Sequence, residues 1–420
     1  MVGRLNNLGW VLLDLVGGVA LAAALRRIRK TASQYEPWDR VSLCAGIALL
    51  ALGLLTARLV VLCAILVAAG TAAVLAGILL TLGGNIRGMA KRASPKARGY
   101  ASQPLAWPEL FERYSGFTFL ERRGFKIPHV ELFSFPEGLT EAQARATVDR
   151  DSAGNPVEYR NPVPEELSRR VIDLWGRKYH DNRVARVASL KVSKHKNGPR
   201  LDIVLQTGWY SQYLVSNLLC DTYVPELGTT VRAFMEKDAP AQSVNPGLAA
   251  NPGGVTVVAQ TADRRLLLVK NRGTNATAPH KICASTSGTI DLRHLSDGKA
   301  APFDAIRDEI YEELHVEQIH IKDLRLLGVT RDMSRNGIAE FQFFAQLSIT
   351  EAEVRRYYTK ANKELSKQVL ETTRELLPSV EPDALVFERK LWEEEGFSLS
   401  GLAAVFYAEQ YIRSRTETFA

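Results

Sequence analysis

Three glutamates, Glu309, Glu312 and Glu313, stand at i, i+3 and i+4 within RDEIYEELHV, residues 307–316. On a helix this spacing gathers them within about one turn. Carboxylates gathered so closely either form a solvated acidic face or hold a hard divalent cation, which prefers oxygen ligands. The same segment places Ile306, Ile310 and Leu314 at i, i+4 and i+8, a stripe that can pack on a sheet while the glutamates point elsewhere. Like charges at this spacing repel by only about 0.2–0.5 kcal/mol per pair, too little to exclude the solvated face.

A helix of this kind needs a sheet beneath it, and the flanking sequence supplies one. NPGLAANPGG, residues 245–254, holds two Asn-Pro pairs and three glycines, so a new unit starts near Val255. VTVVAQTADRRLLLVKNRG then reads as strand, Ala-Asp turn and strand. HKICASTSGTID gives a short strand ending at Gly288, and a turn-rich insertion, LRHLSDGKAAP, precedes a helix beginning near Phe303. LRLLGVTRD and AEFQFFAQLSI read as two further strands.

This order of strand pair, glycine turn, acidic helix and strands resembles the Nudix hydrolase superfamily, whose signature is G-x5-E-x7-R-E-U-x-E-E-x-G-U, with U a bulky aliphatic residue. The family's first glutamate after the arginine falls on Glu309, its glutamate pair on Glu312 and Glu313, and its U positions on Ile310 and Val316. The resemblance spans residues 253–350. It departs from the motif at the arginine, here Asp308, and at the glycine, here His315. Gly288 lies six residues too far upstream, and Ala300 stands where the first acid is expected.

The resemblance implies an α+β unit, a Nudix-like α/β/α sandwich with a mixed sheet. It further implies Mg²⁺ (or Mn²⁺) held by Glu309, Glu312 and Glu313, with Glu312 and Glu313 catalytic. Gly288 and Arg307 are the implied substrate-binding residues, although a shift of one position turns Arg307 by about 100° around the helix relative to the family's arginine. The implied reaction is hydrolysis of a nucleoside diphosphate linked to another moiety, with Glu312, Glu313 or an acid outside the helix such as Glu340 activating water. A second reading keeps the nucleotide but not the cleavage: a catalytically weak or inactive sensor coupled to a membrane effector.

Charge is unevenly spread along the 420 residues. Residues 1–100 hold 12 Lys+Arg against 3 Asp+Glu and the remainder holds 41 against 43, so the basic balance belongs to the N-terminal part alone, the rest shows no basic patch, and no nucleic-acid partner is expected. Between residues 41 and 84 the single charge is Arg58. One helix of that length would be about 65 Å long, twice a bilayer core, so it must fold back. Two to three membrane spans are expected, at about 8–25, 41–57 and 59–82, forming an α-helical segment over residues 1–83. Arginine and lysine cluster in the loop holding Arg26 to Arg40 and after the last span, which orients the soluble part to the cytoplasm of a multi-pass cell-membrane protein. Ala69, Ala73 and Gly77 form a small-residue stripe that would permit a homo-oligomer through these helices or simply their own packing. Asp14 is either a buried functional acid or an interfacial one.

Residues 84–106 read as a basic linker against anionic headgroups of the lipid bilayer. Residues 107–244 read as an α+β region in which RVARVASLKVS and PRLDIVLQTG pair through an Asn-Gly hairpin, with WYSQYLVSNLL as a docked helix. No residue spacing there suggests catalysis, so its expected role is structural or substrate-shaping. Residues 351–420 read as amphipathic helices, EAEVRRYYTKANKELSKQVLETTREL and SGLAAVFYAEQYIRSR. The four cysteines form neither a CxxC pair nor a disulfide framework.

Overall fold

The computed structural model describes residues 101–417, apart from 103, 123, 177–178, 197, 238–248, 272–277, 279, 368–373, 378 and 380–395. The three expected spans, Asp14 and residues 84–100 and 103 of the basic linker lie outside the described residues. Among the described residues no helix is long and apolar enough to cross a membrane.

At the centre lies a six-stranded mixed sheet. Its spatial order is Thr286–Thr289, Gly254–Gln260, Ile338–Leu347, Ile321–Asp332, Phe125–Leu139 and Phe119–Arg122. Only the pair Gly254–Gln260 and Ile338–Leu347 is parallel. These two strands are buried along almost their whole length, which accounts for their near-continuous apolar runs.

Side-chain alternation divides the core between two faces. On one face Val255, Val257, Ala259, Phe341, Phe343 and Ala345 meet Phe303, Ile306, Ile310 and Leu314. The last four belong to the helix Ala301–Leu314, which carries the glutamates. On the other face Val258 and Phe344 meet Leu402, Val405 and Phe406 of the helix Leu399–Glu417. The sheet is therefore sandwiched between two helical layers, and the stripe Ile306, Ile310 and Leu314 is fully buried as expected.

The acidic helix stops at His315, whose φ of 56° places it in the left-handed region. This is the position at which the resemblance expects glycine, and the structure supplies the reason: the chain turns there through a conformation that strains any side chain with a Cβ.

Three expectations need correction. The expected boundary between residues 107–244 and 253–350 does not divide the sheet, because Phe119–Arg122 and Phe125–Leu139 extend it beyond Ile321–Asp332. The tail is not helical throughout: after the helix Glu351–Lys367, Arg374–Leu376 pairs as a strand with Val269–Asn271. The hairpin turn is also displaced. Strands Arg183–His195 and Gly198–Trp209 pair with His195 opposite Gly198, so Gly198, at φ 99°, begins the second strand instead of ending the turn. Together with Ala144–Val148 this hairpin makes a second, three-stranded sheet whose Ala146, Leu201, Ile203 and Leu205 join the core under the acidic helix.

Candidate active site

A cleft of about 360 Å³ opens on the face of the central sheet that carries the helix Leu399–Glu417. Gly254, Glu340 and Asp332, near the strand ends, form its floor. Ser287, Gly288 and Thr289 of the edge strand form one wall, Ser398 to Ser400 at the start of the C-terminal helix a second, and Tyr210 and Tyr213 a third.

Glu309 reaches the edge strand from the opposite face. Its carboxylate lies against Gly288 so closely that a Cβ there would overlap it. Four residues on, Glu313 accepts hydrogen bonds from the hydroxyl of Thr286 and from the Ser287 amide, the latter at 3.3 Å. The pleat sends Thr286 toward the glutamates and Ser287 and Thr289 into the cleft, so one strand separates two carboxylates from the cavity.

Glu312 does not join them. It is exposed and paired with Arg293 (Nη2 to Oε1, 2.9 Å), which also lies 3.3 Å from Asp308. His294 Nε2 stands 3.1 Å from the same Asp308 carboxylate. The guanidinium that meets the acidic helix from the insertion is thus Arg293. Arg307 is bound instead to Glu141 and, at 3.3 Å, to Asp304, and it does not line the cleft. Of the three glutamates expected as metal ligands, Glu309 and Glu313 lie together against the edge strand and Glu312 does not. Among the described residues no group of three or more His, Cys, Asp or Glu is placed to hold a metal ion. Mg²⁺ commonly takes only one or two protein carboxylates and completes its shell with waters and substrate phosphates. Glu309 and Glu313 fit that mode and do not fit an all-protein cage, and because the edge strand stands between them and the cleft they would meet only a phosphate that reaches the strand's edge.

The cleft floor carries a second acidic group that sequence reasoning only touched. Arg335 donates to Asp332 (Nε to Oδ2, 2.6 Å), to Glu340 and to the Ser400 hydroxyl at 3.0 Å. Ser400 in turn donates to Glu340 at 2.7 Å. Beneath them lies His129, fully buried, with Nδ1 3.1 Å from Thr330 Oγ1 and 3.9 Å from Glu340 and Nε2 3.8 Å from Asp332. Burial pushes the Asp332 carboxyl up, but Arg335, His129 and the Ser334 hydroxyl outweigh it and hold the group below the usual carboxylate range. Burial likewise opposes the charge on Arg335, which Glu340 and Asp332 restore.

The first soluble region holds this cluster in place. Arg232, one of the most deeply buried side chains, pairs with Asp221 and donates to the carbonyls of Met333 (2.8 Å) and Ser334 (3.2 Å). Asn217 donates to the Arg335 carbonyl at 3.0 Å, and Asn336 donates to the Ser216 carbonyl at 2.9 Å. Asn336 and Gly337 both adopt positive φ, 52° and 75°, which lets the turn fold tightly enough to bring Arg335 back over the sheet. A sequence signal existed: MSRNG between two strands announces a hairpin, with Asp332 just before the turn and Arg335 inside it. His129 gave less, a polar residue alternating with Ile127 in an apolar strand.

Cys220 is buried beside Arg232, and burial pushes its thiol up to about 12, which removes it as a nucleophile.

No family model matches the chain. In sequence it is similar to the uridine diphosphate glucose pyrophosphatase NUDT22 of Bos taurus, with 24% identity over 249 residues, covering 54% of this chain and 80% of that protein. Among solved structures it has likenesses to a mutT/nudix family protein from Listeria innocua (18% identity, TM-score 0.27, 40% of this chain and 96% of the other) and to Tm1382, a putative Nudix hydrolase (13%, 0.25, 37% and 68%). DR0079 from Deinococcus radiodurans gives 14% identity and a TM-score of 0.25, over 38% and 83%. TM-scores this low add no weight. The likeness to the pyrophosphatase is one of sequence, and it stands beside a mixed sheet with an acidic helix packed on one face.

Proposed function

We propose that this chain hydrolyses the phosphoanhydride bond of a nucleoside diphosphate derivative, a nucleotide sugar being the first candidate. The observation that carries this reading is the placement of Glu309 and Glu313 against the strand wall of a cleft whose floor holds Glu340, Asp332 and Arg335. The sequence likeness to a uridine diphosphate glucose pyrophosphatase supports the substrate class.

In this reading Glu309 and Glu313 would be the residues that hold Mg²⁺ or Mn²⁺, at the edge strand where the diphosphate end of the ligand would arrive. The bound cation would neutralise phosphate charge and make phosphorus more electrophilic. Glu340 accepts the proton of the attacking water as the new P–O bond forms and the anhydride P–O bond breaks, the electron pair leaving on the departing phosphate. Arg335 and Ser400 fix the orientation of that carboxylate through hydrogen bonds to Oε1. Glu312, turned outward onto Arg293, has no part in the reaction.

The test is phosphate-bond cleavage by the full chain, followed by chromatography of the products from uridine diphosphate glucose, ADP-ribose, NAD and dinucleoside polyphosphates with added Mg²⁺ or Mn²⁺. Cleavage that needs the cation and is lost in Glu340→Gln supports hydrolysis. Tight nucleotide binding with no cleavage of any of them favours the second reading, a nucleotide sensor, for which the outward turn of Glu312 is the specific observation.

We further propose multi-pass attachment to the cell membrane, with the catalytic part cytoplasmic, on the strength of the apolar runs and basic flanks of residues 1–100. Alkaline extraction of membranes tests it: release of the chain into the supernatant would refute the spans.

A further inference from the structure

The third wall of the cleft has a property that neither the acidic helix nor the charged floor explains. Tyr210 and Tyr213 line it, and they end an aromatic ladder that runs back into the first soluble region. Ring centroids step from Trp175 to Tyr179 at 6.4 Å, from Tyr179 to Tyr210 at 6.3 Å and from Tyr210 to Tyr213 at 5.4 Å. The two inner tyrosines differ in kind. Tyr213 is buried and lies near Arg335, where the wall meets the floor. Tyr210 is only partly buried and keeps part of its surface toward the cavity.

We infer that Tyr210 forms a stacking subsite for the planar base of the nucleotide, and so makes the first soluble region the part of the chain that selects nucleoside diphosphates over base-free ones. This rests on the reading above that the cleft receives a nucleoside diphosphate. Three features of the structure support it. A large flat ring with few rotatable bonds loses little entropy when a base lies on it. The ring is held by its neighbours, since Tyr179 stands beside it and the Trp209 amide preceding it is fixed by the Gln212 side chain at 2.8 Å. Its position relative to the charged floor is also set, since the short helix that begins with Tyr210 continues into Ser216 and Asn217. These bond the Asn336 and Arg335 end of the catalytic hairpin. A diphosphate at the Gly288 wall and a base at Tyr210 would span a cavity whose volume falls within the usual range for ligand sites, about 300–1,000 Å³.

The experiment compares the full chain with Tyr210→Ala, Tyr210→Leu and Tyr210→Phe by calorimetric binding of uridine diphosphate and of inorganic pyrophosphate, and by kinetics on uridine diphosphate glucose. Loss of one base–aromatic stack predicts roughly a five- to hundredfold weaker affinity for uridine diphosphate in the Ala and Leu variants. Phe should stay within about twofold of the parent, pyrophosphate affinity should not change, and any hydrolysis should lose affinity through KM with kcat kept. Unchanged uridine diphosphate affinity in Tyr210→Ala overturns the inference. So does an equal loss for pyrophosphate, or failure of the parent chain to bind either. A parent that binds uridine diphosphate through Tyr210 without cleaving the sugar nucleotide would sink the hydrolase reading and leave the subsite standing.

Discussion

The Gly288 backbone is the surface on which the Glu309 carboxylate rests. The contact joins helix to edge strand, and it requires the absence of a Cβ, because any side chain at 288 would occupy the carboxylate's place. Gly288→Ala should therefore displace Glu309 without opening the core, since the strand lies at the sheet edge. The expected result is at least a tenfold fall in kcat/KM with a melting temperature within a few degrees of the parent. Retention of full activity would show that Glu309 does not need this position.

Glu312 and Glu340 separate the sequence motif from the geometry. Glu312→Gln weakens one half-exposed ion pair with Arg293, worth about 0–1 kcal/mol, and should leave kcat within about twofold. Glu340→Gln keeps the size of a side chain that Arg335 and Ser400 position in the cleft and removes its ability to take a proton. A fall in kcat of about 10²–10⁴ is expected there, the usual contribution of a general base. Parallel kinetics on the two variants decide it, and the reverse ranking would return the chemistry to the acidic helix.

The contrast between those two glutamates also marks how far the sequence could be read. Period and spacing were enough for the acidic helix and its buried stripe, because Ile306, Ile310 and Leu314 must all face the sheet for the helix to bury anything. The same reasoning could not assign Glu312 to the outside, since that depends on Arg293 arriving from a turn-rich insertion nearly twenty residues away. His129 became a neighbour of Glu340 only through strand pairing between Phe125–Leu139 and Ile321–Asp332, a contact across about two hundred residues. The first soluble region was legible as strands and a hairpin but not as part of the site. Its contribution is made by buried polar groups such as Arg232 and Asn217, whose partners are backbone carbonyls that no motif records.

Arg232 gives a stability prediction of unusual size. Its guanidinium is buried with Asp221 and holds the backbone at Met333 and Ser334. Arg232→Met leaves Asp221 as a buried charge without its partner, which typically costs about 3–5 kcal/mol. Urea denaturation should register that loss, and the double variant Arg232→Met with Asp221→Asn should recover part of it. If the single variant unfolds at the parent's urea concentration, the pair does not hold the hairpin.

His315 offers the opposite sign. The helix ends there in a left-handed conformation, which costs a residue with a Cβ about 1–2 kcal/mol relative to glycine. His315→Gly gives back the ring contact with Tyr358, whose centroid is 6.3 Å away, and some unfolded-state entropy. The net expectation is a gain of up to about 1 kcal/mol, measured as a higher midpoint in thermal unfolding. A lower midpoint would mean that the Tyr358 contact outweighs the backbone strain.

Asp332 sets the acid limit of the site. Its carboxyl is held below the ordinary range in the folded chain, because Arg335, His129 and Ser334 together outweigh its burial. A depressed folded pKa contributes stability that is complete above the unfolded value, about 3.9, and is lost as pH falls through the folded value. Asp332→Asn should therefore be less stable than the parent at neutral pH, and the gap between the two should close as the pH drops below about 4. Unfolding free energies measured for both proteins from pH 7 down to pH 3 test this directly. A gap that stays constant across the range would mean that the carboxylate's charge contributes nothing and that Asn merely disturbs the packing around Arg335.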